Sequence, residues 1–366
     1  MGKWYRPLES MERLKDCLDF YKGKKVFITG HTGFKGSWMC VVLKMFGAEI
    51  IGYSLEPPTN PNLFEIANVE DDITNIYGDI RDLEKLKKAL NDANPDIVIH
   101  MAAQPIVRES YANPVYTYET NVMGTVNICE AIRSNDNVKS FVNVTTDKVY
   151  KNNEWCWGYR EDDALDGYDP YSNSKSCSEL VTSSYKKSFL NSKNVAVTTC
   201  RAGNVIGGGD FAKDRIIPDC FRFAKEKQDI IVRNPFSTRP YQHVLEPVIA
   251  YLLVAREQFI NASFADSYNV GPDDSDCVNT EKLVELFCKA WGKDASWHTE
   301  CNKDAPHEAN FLKLDCSKIK KAINWNPRWH IEDAVKKTVE WYKAYVDDKH
   351  IIDIMHQQIM EYINIE

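Results

Sequence analysis

From residue 24 the chain alternates between short β-branched runs and longer stretches whose apolar positions recur every three to four residues. KKVFITG (24–30), AEIIGYSL (48–55) and DIVIHMAA (96–103) read as strands; residues from about Ser37 to Phe46 and EKLKKALNDA (84–93) read as helices. The rhythm continues with a helix over Asn121–Arg133, a strand over Ser140–Val144, a helix over Tyr171–Phe189 and a strand over Val195–Cys200. It predicts an α/β fold with a doubly wound parallel sheet of six or seven strands. After about Val205 the pattern breaks into IGGGDF (206–211) and RNPFSTRP (233–240) around a long apolar helix, HVLEPVIAYLLVAREQF (243–259). That change predicts a smaller, mixed α/β C-terminal lobe across the sheet's C-terminal edge. Residues 331–345 place Ile331, Ala334, Val335, Thr338, Val339 and Tyr342 on one helical face, a core stripe.

The domain organisation expected is an N-terminal appendage at 1–21, with a helix over about Met11–Tyr21. A sheet domain at 22–205, with a returning segment near 240–271, is followed by an interleaved lobe at 206–350 and a tail at 351–366.

A chain of 366 residues, 43% of them hydrophobic, is long enough for a sizeable core, and a formal charge of −8 argues against broad nucleic-acid binding. The eleven cysteines are scattered without a C-x-x-C pair and read as reduced thiols of a cytoplasmic protein. His298, Cys301 and His307 form the one metal-like cluster and lack a fourth ligand, so no metal is expected. No run approaches the ~18 apolar residues of a membrane span, and the N-terminus has no signal-peptide core and Arg6 where myristoylation wants Ser or Thr. The expectation is a cytoplasmic protein that binds neither membrane nor nucleic acid.

Three motifs carry chemistry. VFITGHTGFKGSW sets Gly30, Gly33 and Gly36 directly after the first strand and at the start of the first helix, with Phe34 and Lys35 between them. A dinucleotide's diphosphate needs that close backbone approach and the positive end of a helix dipole. Glu56, 20 residues past Gly36, is the nearest ribose-binding acid, and Lys35 could instead pull on a phosphate, so NAD is preferred over NADP with both in view. In FVNVTTDKVYKNNEW (141–155), Thr145, Thr146, Asp147 and Lys148 end a buried strand, where an acid beside an amine is either an ion pair or a reaction centre. In DPYSNSK, Tyr171 and Lys175 stand four apart on one helix face. A nearby ammonium is expected to bring the phenol from ~10 toward neutrality, making Tyr171 a usable base for a sugar hydroxyl.

The glycine turn with TTDK, WGYRED (157–162), DPYSNSK (169–175), RAGNVIGGGD (201–210) and RPYQHVLEP (239–247) resembles the nucleotide-sugar dehydratases of the extended short-chain dehydrogenase/reductase family. The resemblance covers about residues 22–345 and leans to the group acting on CDP-glucose. It implies a Rossmann domain and a reaction in which NAD is used and regenerated. C4 of the sugar is oxidised with Tyr171 as base and Thr146 beside it; water leaves across C5 and C6; hydride returns to C6. Asp147 would be the acid releasing water and Lys148 the C5 base, where dTDP-sugar dehydratases have glutamate. The implied cofactor contacts are Gly30, Gly33, Phe34, Lys35, Gly36, Asp79, Ile80, Ala102, Gln104, Asn121, Tyr171 and Lys175. Arg201, Asn204, Arg239 and His243 are the candidates for the substrate diphosphate. Pairing through helices near Pro114–Arg133 and Tyr171–Phe189 would give a homodimer or homotetramer. A nucleotide-sugar 4-epimerase, which needs no acid–base pair for C5 and C6, and a non-catalytic NAD-binding regulatory protein are the alternatives.

Overall fold

The computed structural model describes residues 14–300 and 311–364. Seven parallel strands form the sheet: β1 (Lys25–Thr29), β2 (Glu49–Ser54), β3 (Thr74–Tyr77), β4 (Ile97–His100), β5 (Ser140–Thr146), β6 (Ala196–Ala202) and β7 (Ser267–Val270), in the spatial order β7-β6-β5-β4-β1-β2-β3. Every residue of β4, β5 and β6 is buried, which is why these segments read as continuous apolar and small-residue runs rather than alternating ones. One face is covered by the core around Leu86, Leu90, Ile128, Ile132 and Phe141, the other by the core around Trp38, Val42, Val248, Leu252 and Tyr342.

β1 pairs with β2 on one side and β4 on the other, with Thr29 opposite both Tyr53 and His100, so the strand order reverses there. Such a reversal opens a crevice at the strands' C-terminal ends. The register carries Thr146 of β5 level with Ala202 of β6 along that same edge.

The lobe is mixed α/β: the Ile216–Lys225 and Thr280–Trp291 helices lie beside two small strand pairs, Ile230–Val232 with Trp297–Thr299 (parallel) and Thr238–Arg239 with Val278–Asn279 (antiparallel). Between them the Leu245–Ile260 helix returns onto the sheet and leads into edge strand β7. The Ile331–Val346 helix buries Ile331, Ala334, Val335, Thr338, Val339 and Tyr342, the face the periodicity picks out.

Both terminal segments belong to the core, contrary to their reading as appendages. Leu18 and Tyr21 are fully buried, with the Tyr21 hydroxyl donating to the Leu252 carbonyl at 2.6 Å. In the Ile351–Ile363 helix, Met355, Ile359 and Tyr362 are fully buried and Tyr362 donates to Glu246 Oε2 at 2.6 Å. The sheet face under the Leu245–Ile260 helix needs that cover. The start of the predicted Met11–Tyr21 helix lies outside the described residues, as do Cys301 and His307 of the metal-like cluster. Among the described residues no helix is long and apolar enough to cross a membrane.

Candidate active site

The crevice is a cleft of about 1790 Å³ running from the glycine turn and the end of β2, past β4 and β5, to the lobe. Gly30 has φ +78, and a Cβ there would lie 2.7 Å from the Ala102 amide nitrogen; a Cβ on Gly36 would lie 2.3 Å from the Gly30 carbonyl oxygen. Gly33 differs: its nearest neighbour to such a Cβ is 3.4 Å away, and it caps the twelve-residue Phe34–Met45 helix without any side-chain hydrogen bond. The helix's first amides thus open onto the cleft, where Gly33, Phe34, Lys35 and Gly36 line it. An uncapped helix N-terminus with backbone bared by glycine fits a diphosphate. Thr32 Oγ1 donates to the Leu55 carbonyl at 2.9 Å, tying this turn to the end of β2, where Glu56 lines the cleft.

At the end of β5, Thr146 Oγ1 donates to Asp147 Oδ1 at 2.9 Å, while Asp147 Oδ2 is buried with no partner among the described residues. Burial pushes the Asp147 carboxyl above the usual carboxylate range, against the pull of Lys148, Thr146 and Arg239. Among the described residues no ion pair closes between Asp147 and Lys148, which lies half-buried on the cleft wall.

The Pro170–Tyr185 helix starts where it does because Asp169 caps it, accepting from the Ser172 amide at 3.0 Å and hydroxyl at 2.6 Å, and because Pro170 fits its first position. Its first two turns deliver Tyr171 and Lys175 to the cleft. Lys175 Nζ donates to the Val144 carbonyl at 3.2 Å. The expected drop of the phenol toward neutrality is not met: burial pushes Tyr171 up to about 12, with its hydrogen bond to Thr146 opposing that rise. Burial, reinforced by Lys35, likewise lowers Lys175 to about 7, which removes much of the charge meant to act on the phenol. Lys35 itself is lowered to about 8, by burial first and by Arg215 next, with Asp147 and Asp210 opposing.

The remaining candidates separate into those on the cleft and those behind it. Asp79, Ile80, Ala102, Gln104, Asn204 and Arg239 line it. The Asp79 carboxylate is already held by the Arg81 guanidinium at 2.7 Å, which keeps it below its usual range. Gln104 spends its side chain on Thr117 Oγ1 and the Ile106 amide. Asn121 stands behind the wall rather than in it: its Oδ1 accepts from the Gln104 amide at 2.8 Å and its Nδ2 donates to Gln104 O and Ser174 Oγ, so it braces the 101–106 loop against the Tyr171 helix.

Arg201 and His243, expected at the substrate diphosphate, do not reach the cleft. Arg201 is closed into a buried pair with Glu179 at 2.9 Å, because β6 turns it under the sheet edge. His243 is fully buried between Trp38 and Trp329, and burial lowers it to about 3.

The cleft also holds groups that sequence reasoning missed. Arg215 pairs with Asp210 at 2.9 Å and acts on Lys35 and Tyr171, and across the mouth Arg108 pairs with Asp214 at 2.9 Å. Asp210 and Arg215 flank the end of the glycine-rich segment in sequence, the one signal that could have marked them.

A bared glycine turn, a Tyr-x3-Lys helix start and a lobe closing the sheet's C-terminal edge define an extended short-chain dehydrogenase/reductase. The chain belongs to the GDP-mannose 4,6 dehydratase family, whose profile matches residues 27–338. It is 47% identical over 352 residues to CDP-glucose 4,6-dehydratase of Salmonella typhimurium, covering 94% of this chain and 98% of that one. It is also 27% identical to dTDP-glucose 4,6-dehydratase of Shigella flexneri, over 87% of this chain and 93% of the relative. Among solved structures, dTDP-glucose 4,6-dehydratase of Bacillus anthracis in complex with NAD superposes with TM-score 0.74 at 21% identity, over 90% of this chain and 100% of the other. UDP-glucose-4-epimerase of Stenotrophomonas maltophila superposes with TM-score 0.78 at 19% identity, over 89% and 99%. Dehydratases and epimerases share this fold, so the fold alone does not choose between them.

Proposed function

We propose that the chain is a nucleotide-sugar 4,6-dehydratase, a hydro-lyase converting CDP-glucose to CDP-4-keto-6-deoxyglucose with NAD as its resident cofactor. The observation that carries the choice of dehydratase over epimerase is the state of Asp147: a buried carboxyl, raised by burial, with one oxygen unpartnered among the described residues and no closed ion pair to Lys148. A plain ion pair would have closed between the two side chains, whereas an acid whose proton burial holds more tightly, beside a substrate cleft, is suited to giving that proton away. The identity to the Salmonella CDP-glucose enzyme over nearly both chains supports the choice of sugar nucleotide.

NAD supplies the hydride acceptor and donor for the redox changes at C4 and C6. Gly33, Phe34, Lys35 and Gly36 would hold its diphosphate, and Glu56 at the end of β2 suits a ribose diol better than a 2′-phosphate. Tyr171 takes the proton of the 4-hydroxyl, with Thr146 hydrogen-bonded to the phenol. Once C4 is a ketone the neighbouring C5–H is acidified, and Lys148 takes that proton from the cleft wall. Asp147 gives its proton to the departing 6-hydroxyl, so that water leaves and the acid ends as carboxylate; as hydride is restored at C6, Lys148 returns a proton to C5. Arg239 is the cleft's candidate for the substrate diphosphate, through the fork of N–H groups a guanidinium offers. We place the reaction in the cytoplasm, in a homodimer or homotetramer.

Incubation with CDP-glucose, dTDP-glucose, UDP-glucose and GDP-mannose in parallel tests the reading. CDP-glucose should lose one water, about 18 mass units, and give a 4-keto product. Interconversion of CDP-glucose with its 4-epimer and no mass loss would assign the epimerase reaction instead.

A further inference from the structure

Tyr171, Lys175 and Glu179 follow one another at intervals of four and share a face of the Pro170–Tyr185 helix. Tyr171 is the base of the reaction assigned above and Lys175 stands one turn further along the same cleft-facing side; the third is a carboxylate only 3% exposed. Thr145 Oγ1 donates to Glu179 Oε1 at 2.5 Å, Thr199 Oγ1 to Oε2 at 2.7 Å, and Arg201 Nη2 to Oε2 at 2.9 Å. Glu179 thereby joins the helix to β5 one residue before Thr146, and to β6. Arg201 carries the connection onward: its Nη1 donates to the Tyr150 hydroxyl and the Glu161 carbonyl, both at 2.9 Å, and its guanidinium lies over the Tyr150 ring at 5.1 Å. Tyr150 comes two residues after Lys148, stacks on Tyr159 at 5.2 Å and donates to Asn269 Oδ1 of β7 at 2.6 Å. The two charged side chains thus grip the chain on both sides of Thr146–Asp147–Lys148 and fasten it to the helix bearing Tyr171 and Lys175.

We propose that Glu179 and Arg201 are a positioning pair for the dehydration, one that fixes the acid and base of the strand end against the Tyr171–Lys175 face and keeps a carboxylate beside Lys175. The proposal rests on the function assigned above. Neither residue touches the cleft; both act through the groups they hold. The carboxylate opposes the loss of charge at Lys175, where burial and Lys35 act to remove the proton. A protonated Lys175 is what stabilises the Tyr171 phenolate, so the pair links a structural bracket to the base's readiness.

The test needs a readout that a structural role alone would not move. In protein carrying ¹³C at lysine Cε, with the Lys175 signal assigned through Lys175→Arg, Glu179→Gln should lower the Lys175 titration midpoint by about one pH unit. The alkaline limb of its kcat–pH profile should move the same way, and kcat should fall about tenfold with KM nearly unchanged. Arg201→Lys keeps a cation on Glu179 but loses the branch to Tyr150 and Glu161, so it should lower kcat while the Lys175 titration stays in place. Should Glu179→Gln leave Arg201 stranded and the protein unfolded, the double variant Glu179→Gln, Arg201→Gln removes both charges and is read the same way. An unmoved Lys175 midpoint on loss of Glu179, or a wild-type kcat in both single variants, overturns the proposal. A wild-type protein that leaves CDP-glucose intact would instead sink the assigned reaction, and the titration, which needs no turnover, still decides the pair.

Discussion

Two acid–base pairs meet the end of β5, Glu179–Arg201 through Thr145 and Asp147–Lys148 directly after the strand, and they are built in opposite ways. Glu179 and Arg201 are joined: both carboxylate oxygens and both terminal guanidinium nitrogens are taken up by the fold, and Arg201 Nε alone has no partner among the described residues. Asp147 and Lys148 are open: one carboxylate oxygen accepts from Thr146, the other has no partner among the described residues, and no ion pair joins the two side chains there. Opposite charges side by side therefore say little in themselves. Where the unpartnered atom lies separates the brace from the reaction centre: in the brace it is a guanidinium N–H away from the cleft, in the open pair it is a carboxylate oxygen of a residue that lines the cleft.

The sharpest way to break this contrast is to remove one partner from the joined pair. Glu179→Ala strands the Arg201 charge and should cost about 3–5 kcal/mol of stability, read as a lower denaturation midpoint. A loss no larger than that of a surface substitution would put the pair outside the fold's support. Next in size, Tyr171→Phe should lower kcat ~10²-fold or more while cofactor content and melting stay near wild type. Arg239→Gln should raise KM for the sugar nucleotide about tenfold, or ~1.4 kcal/mol, with kcat little changed. An unaltered KM would mean that Arg239 is as closed as Arg201.

The smallest effect on turnover belongs to His243. His31, His100 and His243 are lowered by burial to about 4, 3 and 3. Between those values and ~6.5 the unfolded chain binds protons that the folded one does not, so stability is full above pH ~6.5 and drains as pH falls through that window. His243→Gln should make that acid-side loss shallower and leave KM unchanged. A raised KM would return His243 to the substrate site.

The sheet was legible from the chain because its central strands are buried on both faces, and the glycine turn because Gly30 and Gly36 stand where a Cβ would collide with backbone. The Thr146–Asp147–Lys148 and Tyr171–Lys175 clusters were legible because polar residues at the end of an apolar strand and at the start of a helix conflict with burial. Arg201 and His243 were misplaced for one shared reason. Their motifs set them beside the cleft in sequence, but which side of the sheet edge a side chain takes depends on partners far along the chain: Glu179 for Arg201 and Trp329 for His243. The terminal helices were misjudged because their covering role lies in the Leu245–Ile260 helix beneath them, more than a hundred residues from one and over two hundred from the other. The phenol's direction was misread because pairing spacing shows the ammonium but not the burial that acts on both groups.

The central claim, that the open pair performs the elimination, is tested most directly by mixing Lys148→Ala with CDP-glucose in deuterated water, following nicotinamide absorbance and then the label at C5. With Lys148 as the C5 base, the variant should still oxidise C4 and accumulate reduced cofactor on the enzyme. It should then stall, with little deuterium at C5 of the recovered sugar, whereas wild type should label C5 of its product. Normal dehydration with normal C5 labelling in the variant would contradict the account.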